Sequence, residues 1–211
     1  PGGDHAARKP VWSAVGALQE YFPDEMPGLA MERLGLPETE VRTLMALVAK
    51  RINAPRTTSV GRWFDAVAAL TGLCRVSTFE GQAAMRLEWA VDPGQAGAPP
   101  YPFDLHPGAD GLEANLRNTL IAILQDLRNG QPAGLIATRF HHTLAALALA
   151  MARHQPEHQV ILSGGCFQNR YLTECCIDRL RAGGFVPYWH QLVPPNDGGL
   201  SLGQAWVAAT L

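Results

Sequence analysis

Apolar residues recur at helical spacing from Pro10 to Phe22 and again from Thr39 to Ile52, which predicts two helices. Pro37 followed by Glu38, Thr39 and Glu40 reads as a helix start, with proline in the first turn and acids at the positive end of the dipole. Ser59 reads as the N-cap of a helix that continues through Ala66-Val67-Ala68-Ala69-Leu70, and on it Arg62 and Asp65 stand one turn apart, spaced to pair. Gly61 falls in the first turn of that helix, where glycine costs about 1 kcal/mol relative to alanine. Close approach of a ligand or another backbone is a reason to place it there. Glu80 to Glu88 forms a further helical pattern, again with a glycine in its first turn. From Val91 to Gly111 the chain is rich in Pro and Gly, and the alternation of Tyr101 and Phe103 predicts a loop with one short strand. The strongest helical patterns run from Leu112 to Leu127 and from Ala133 to Arg153.

The last third of the chain changes character. Val160-Ile161-Leu162 is a short apolar run that reads as a buried strand and stops at Ser163-Gly164-Gly165. A helical pattern starts near Asn169 and covers Tyr171 to Arg181, ending at Gly183-Gly184. Phe185 to Trp189 reads as a second strand, and Ser201 to Ala209 as the last helix. Alternation of strands and helices predicts an α/β core with some parallel pairing. A strand, a glycine turn and a helix start bring backbone N–H groups to where an anion can meet them, and glycines keep Cβ atoms out of the way. The second informative segment is Pro194-Pro195-Asn196-Asp197-Gly198-Gly199, a loop before the last helix. Its carboxylate, Asp197, is placed to hold a cation or a ribose rather than a core. Together the two loops suggest a nucleotide or phosphate site at strand ends.

Composition narrows the class without identifying it. The chain has 211 residues, 47% of them hydrophobic and 17% charged, with a net charge of −2. That profile fits a folded globular chain with one sizeable domain or two lobes. Near-neutral charge argues against a dedicated nucleic-acid partner. The longest uninterrupted apolar run, Leu144 to Met151, is short and Ala-rich and reads as a buried helix, so no membrane association is expected. The chain opens Pro1-Gly2-Gly3-Asp4 with no initiator Met and reads as part of a longer polypeptide.

Candidate chemistry is sparse. Of Cys74, Cys166, Cys175 and Cys176, none forms a CxxC pair, and free thiols in a reducing cytoplasm are expected. Cys166 sits inside the glycine loop, with no His partner near it in sequence. His141 and His142 are adjacent, so on a helix they point about 100° apart and do not suit one metal ion. They read as polar or cap residues, one of which lines the cleft. His106 reads as a loop residue, and Pro156 interrupts the spacing of His154 and His158. No general base stands out, so no catalytic residue is assigned.

Five ordered runs carry a resemblance: TTSVGRWFDAVAALTG from Thr57, FEGQAAMRLE from Phe79, RFHHTLA from Arg139, ILSGGCFQNRYL from Ile161 and VPPNDGGLSLGQA from Val193. With the opening PGGDHAARKP, they resemble the HypF family of hydrogenase maturation carbamoyltransferases along nearly the whole chain. The resemblance implies an α/β fold of the ASKHA, ribonuclease-H-like type with extra helices. The chain would be the C-terminal lobe of a TsaD-like domain, with a helical cover over about 1–55 and a nucleotide-binding core over about 56–211. It implies that the carbamoyl group of carbamoyl phosphate is joined to ATP as carbamoyl adenylate. The domain would then pass that group to the C-terminal cysteine of HypE, for the cyanide ligands of [NiFe]-hydrogenase. Gly164 and Gly165 match the family's phosphate-approaching glycines, and Asn169 matches the polar position that closes the turn. Asp197 matches the ligand of a divalent metal, zinc, iron or magnesium. Gly61 and Asp65 match the nucleotide- and ribose-contacting positions of the related TsaD helix, with Arg62 where TsaD has Glu. The family's metal-binding histidines fall in the preceding lobe, so residues 1–211 alone are expected not to complete the reaction. A cytoplasmic enzyme is implied. The alternatives are an O-carbamoyltransferase or a threonylcarbamoyl-tRNA synthase of the same superfamily, disfavoured by FQNRYL and by the charge. A non-catalytic nucleotide-binding module is disfavoured by the intact Gly164-Gly165 and Asp197.

Overall fold

A computed structural model describes residues 1–3, 6, 8–108 and 111–210. Asp4 and His5 and Ala7 of the opening motif lie outside the described residues, as do Ala109, Asp110 and Leu211. The chain divides into two compact units, residues 1–95 with 126–137, and residues 96–125 with 138–211.

The first unit is helical up to its return segment. Its helices are α1 (Pro10–Tyr21), α2 (Met26–Leu34), α3 (Glu38–Ala49), α4 (Val60–Leu70) and α5 (Gln82–Trp89). In α1, Val11, Ala14, Val15 and Leu18 are buried, the spacing that puts four side chains on one helix face. That face lies along α4, whose small residues Ala66, Ala68 and Ala69 are fully buried and let the two backbones approach. Glu40 on α3 accepts from the Trp12 indole at 2.8 Å and from Lys9 Nζ at 3.3 Å, tying α3 to the start of α1. Ser59 caps α4 as the sequence predicts, its hydroxyl accepting from Arg62 N. The expected boundary near residue 55 is therefore not a break in packing. Residues 60–70 belong with the helices before them because their small-residue face matches α1.

The second unit holds both sheets. Strands β1 (Asp104–Gly108) and β2 (Gly111–Asn115) form an antiparallel hairpin in which Asp104 faces Asn115. The helix expected from Leu112 is corrected here: residues 111–115 pair as a strand, and helix α6 (Arg117–Arg128) starts only after Leu116. Ladder pairing to β1 outweighs the strong intrinsic helix propensity of Leu-Glu-Ala. His106, expected in a loop, sits on β1 opposite Glu113, its Nε2 3.8 Å from the carboxylate.

Helix α7 (Ala133–Ala152) is followed by β3 (Gln159–Leu162), α8 (Arg170–Ala182), β4 (Val186–Trp189) and α9 (Leu200–Thr210). Strands β3 and β4 are parallel, with Leu162 opposite Trp189, which confirms the expected parallel pairing. Helix α8 packs on β4 and buries Leu172, Cys176, Ile177 and Leu180. On the other sheet face Ile161, Val186 and Tyr188 are exposed, and every described residue of α9 is exposed. By length and composition α7 is long and apolar enough to cross a membrane, and over half of that stretch is buried within the protein. It also carries Arg139, His141, His142 and Thr143 in hydrogen bonds to protein partners, as a core helix does.

Candidate functional site: the glycine turn after β3

Strand β3 ends at buried Leu162, and the chain turns outward at Ser163. Gly164 has φ of 102° and ψ of 162°, a conformation that a side chain would strain. Its N–H donates to Pro195 O at 2.8 Å, which fastens this turn to the loop carrying Asp197. Gly165 opens a single 3₁₀ turn, Gly165–Gln168, closed by Phe167 N donating to Gly164 O at 3.0 Å and Asn169 N to Cys166 O at 3.2 Å. A Cβ built on Gly164 or Gly165 meets no atom within 4 Å, so the space in front of both is open. Gly165 N–H meets no acceptor among the described residues. The turn therefore offers a donor and bare backbone at the C-terminal end of a parallel strand, where α/β proteins take ligands.

Asn169 ends the turn and starts α8. Its Oδ1 accepts from Leu172 N at 2.8 Å, a helix N-cap. That bond fixes the amide orientation, so Nδ2 is the donor toward His141 Nε2, 2.8 Å away. His141 is then the acceptor at Nε2 and carries its proton on Nδ1. His142 has the same tautomer for another reason: its Nδ1 donates to Ala98 O at 2.7 Å, so Nε2 accepts from the Tyr171 hydroxyl at 3.0 Å. Tyr171 stands between the two rings, edge-on to His141 and stacked on His142 with a 22° interplanar angle. Neither histidine is the cleft-lining residue that the sequence suggested; both are buried. The residues that satisfy them lie far along the chain, out of reach of pattern reading.

The second loop is built on Asn196, whose Oδ1 accepts from Gly198 N at 3.0 Å, with Gly199 N donating to Asn196 O at 3.0 Å. Asp197 begins the short 3₁₀ turn Asp197–Gly199, and its carboxylate is exposed. The structure adds a pair that sequence reasoning missed. Ser163 Oγ and His190 Nε2 are 2.9 Å apart. They leave β3 and β4 just past the Leu162–Trp189 register pair, so parallel register puts them side by side. Only the strand alignment could have revealed this.

Gly61 and Asp65 belong to the first unit. Gly61 lies in the first turn of α4, with Ser59 Oγ 3.5 Å from where a Cβ would stand. Asp65 is 4% exposed, and Arg62 Nη2 lies 2.9 Å from its Oδ2 in the expected pairing. The contact is ionic without hydrogen-bond alignment, and Oδ2 has no hydrogen-bond partner. Burial pushes the Asp65 carboxyl up to about 6, and the Arg62 charge opposes that without cancelling it.

All four cysteines are free, and burial pushes Cys176 up to about 12 and raises Cys175. Cys166 is half-buried within the 3₁₀ turn. Among the described residues no three His, Cys, Asp or Glu side chains cluster as a metal site. Among the described residues, Asp197 is part of no such cluster.

A parallel strand pair with a glycine turn at one strand end, and an Asn-Asp-Gly-Gly loop fastened to that turn, place the chain in the α/β class. The chain belongs to the family described as "Carbamoyltransferase, Kae1-like Domain, second subdomain", which matches residues 1–204. It is 41% identical to carbamoyltransferase HypF of Synechocystis sp. over 74% of this chain, and 34% identical to carbamoyltransferase HypF2 of Cupriavidus necator over 99%. A crystal structure of full-length HypF in the phosphate- and nucleotide-bound form superposes with a TM-score of 0.86 at 32% identity, covering 99% of this chain. The chain spans 20% and 28% of the two relatives and 27% of that crystallised protein.

Proposed function

We propose that this chain forms the nucleotide-holding part of an enzyme that moves a carbamoyl group from carbamoyl adenylate to the C-terminal cysteine of HypE. ATP and carbamoyl phosphate are the small-molecule sources, the reaction is cytoplasmic, and neither nucleic acid nor membrane takes part. The observation that carries the reading is the open Gly164-Gly165 turn with its unsatisfied Gly165 N–H. That a HypF structure is described as phosphate- and nucleotide-bound supports it.

The chemistry asks little of the protein beyond holding and orientation. The mixed anhydride is already activated. The thiolate sulfur attacks the carbonyl carbon, the carbon–oxygen bond to the phosphate breaks, AMP leaves, and the thiol proton passes to solvent. The glycine turn holds the phosphate oxygens by backbone N–H groups and permits close approach. Asn169 keeps the turn in shape. Asp197 would give one ligand to a divalent metal, zinc, iron or magnesium, which when bound would offset phosphate charge. One carboxylate does not make a tight site. Gly61 and Asp65 remain nucleotide-contacting positions by resemblance alone, and residues 1–211 alone should not complete the transfer.

The test supplies ATP, carbamoyl phosphate and HypE to the protein at its full encoded length and follows the mass of HypE's C-terminal peptide. The expected outcome is one added carbamoyl group on the cysteine, lost in Gly165→Val. Unmodified HypE with the unsubstituted protein, or equal modification by Gly165→Val, would overturn the proposal.

A further inference from the structure

His141 is fully buried on α7, and its Nε2 meets Asn169, the residue that ends a turn facing open space. Asn169 makes bonds in opposite directions through its amide, to Leu172 N and to His141 Nε2, both at 2.8 Å. Its backbone is equally committed: Asn169 N closes the 3₁₀ turn on Cys166 O, and its carbonyl accepts from Thr173 N and from Thr173 Oγ1 at 2.8 Å. Thr173 Oγ1 also lies 3.1 Å from Phe167 O, within the same turn. Asn169 is thus the node at which the glycine turn ends and α8 begins. Capping needs only Oδ1. The bond from Nδ2 adds no cap and instead sets the angle of the amide plane, and with it the path of the turn.

The partner is well chosen for that task. An apolar side chain of similar volume would pack equally well but would leave the Nδ2 hydrogens buried without an acceptor. The His141 ring cannot easily turn away, because Tyr171 stands edge-on to it with ring centroids 5.4 Å apart.

We propose that His141 is a positioning residue for nucleotide binding: by accepting Asn169 Nδ2 it holds the turn Gly165–Gln168 so that Gly165 N–H faces the ligand's phosphate. The proposal rests on the nucleotide reading above. It makes α7 the buttress of the site, although no atom of His141 touches the ligand.

The experiment measures ATP affinity by calorimetry, and melting temperature, on the protein at its full encoded length. His141→Leu removes the acceptor and is expected to weaken ATP about tenfold, the equivalent of one hydrogen bond's orientation. His141→Gln is expected to restore the affinity, because Gln Oε1 reaches about as far as Nε2 and accepts from Nδ2. In Asn169→Ala/His141→Leu the loss should equal that of Asn169→Ala alone, since the second change has nothing left to break. Leu44→Ala, a buried change in the first unit, should lower the melting temperature without weakening ATP. That separates positioning from simple destabilisation. His141→Met takes the place of His141→Leu should the latter fail to fold. Absence of ATP binding by the unsubstituted protein would sink the nucleotide reading itself. ATP binding that His141→Leu leaves unchanged, that His141→Gln fails to restore, or that falls further in the double variant would overturn the role of His141 alone.

Discussion

Asp65 offers a quantitative test of how burial and charge compete in the first unit. Its side chain is 6% exposed, whereas the Arg62 side chain beside it keeps 34% exposure, so solvent screens the guanidinium's pull. Desolvation wins and the carboxyl rises from 3.8 in a free chain to about 6 in the fold. The raised value means that the folded state binds the Asp65 proton more tightly than the unfolded state does. Asp65 therefore costs nothing below the unfolded value and destabilises increasingly as pH rises through the window between the two. Stability must fall, not rise, across that window on its account. A difference of about two pH units corresponds to about 3 kcal/mol. Asp65→Asn removes the titration while keeping the shape. Urea unfolding of both proteins from about pH 4 to pH 7 should show the variant gaining about 3 kcal/mol on the parent, complete above the folded value. A difference constant across the range would refute the reasoning. A variant that loses ground toward pH 7 would show that Arg62 controls the group instead.

Asn169→Ala removes the α8 cap and strands the His141 acceptor, so unfolding by urea should show a loss of about 2 kcal/mol. Gly134→Ala sets two effects against each other. Alanine should stabilise α7 by about 1 kcal/mol through propensity. Its Cβ, however, would stand 2.8 Å from Ala90 O, a backbone atom that cannot swing away. Net destabilisation of about 1–2 kcal/mol in thermal unfolding is expected, and a more stable variant would contradict the packing described here. Asp197→Asn should lower divalent-metal content at full encoded length after dialysis, and unchanged metal content would remove Asp197 from the proposed ligand set.

Much of this architecture was legible before any coordinates. The 3.6-residue spacing in α1, the Ser59 cap, the Arg62–Asp65 pair and the Val160 strand before two glycines each follow from local chemistry and stand where expected, although that strand, expected buried, leaves Ile161 exposed. The failures share one cause. Leu112-Glu113-Ala114-Asn115 is compatible with a helix and becomes a strand only because Asp104–Gly108 pairs with it. His141 and His142 read as polar or cap residues, one lining the cleft, because Asn169, Ala98 and Tyr171, which let them be buried, are remote in sequence. Ser163 and His190 meet through the register of two parallel strands, which no single-sequence pattern encodes. The glycine loops were visible because backbone conformation is a local property; the polar network that braces them was not, because partnership is tertiary.

The central claim is that an adenine nucleotide binds with its phosphates against the Gly164-Gly165 turn. The most direct measurement is calorimetric titration of ATP into the unsubstituted protein and into Gly165→Val, with melting temperatures recorded alongside. A side chain at residue 165 meets no protein atom within 4 Å of its Cβ, so the fold should be undisturbed and only a ligand would be obstructed. The account predicts ATP binding that Gly165→Val abolishes at an unchanged melting temperature. Equal affinity in the two proteins would contradict it.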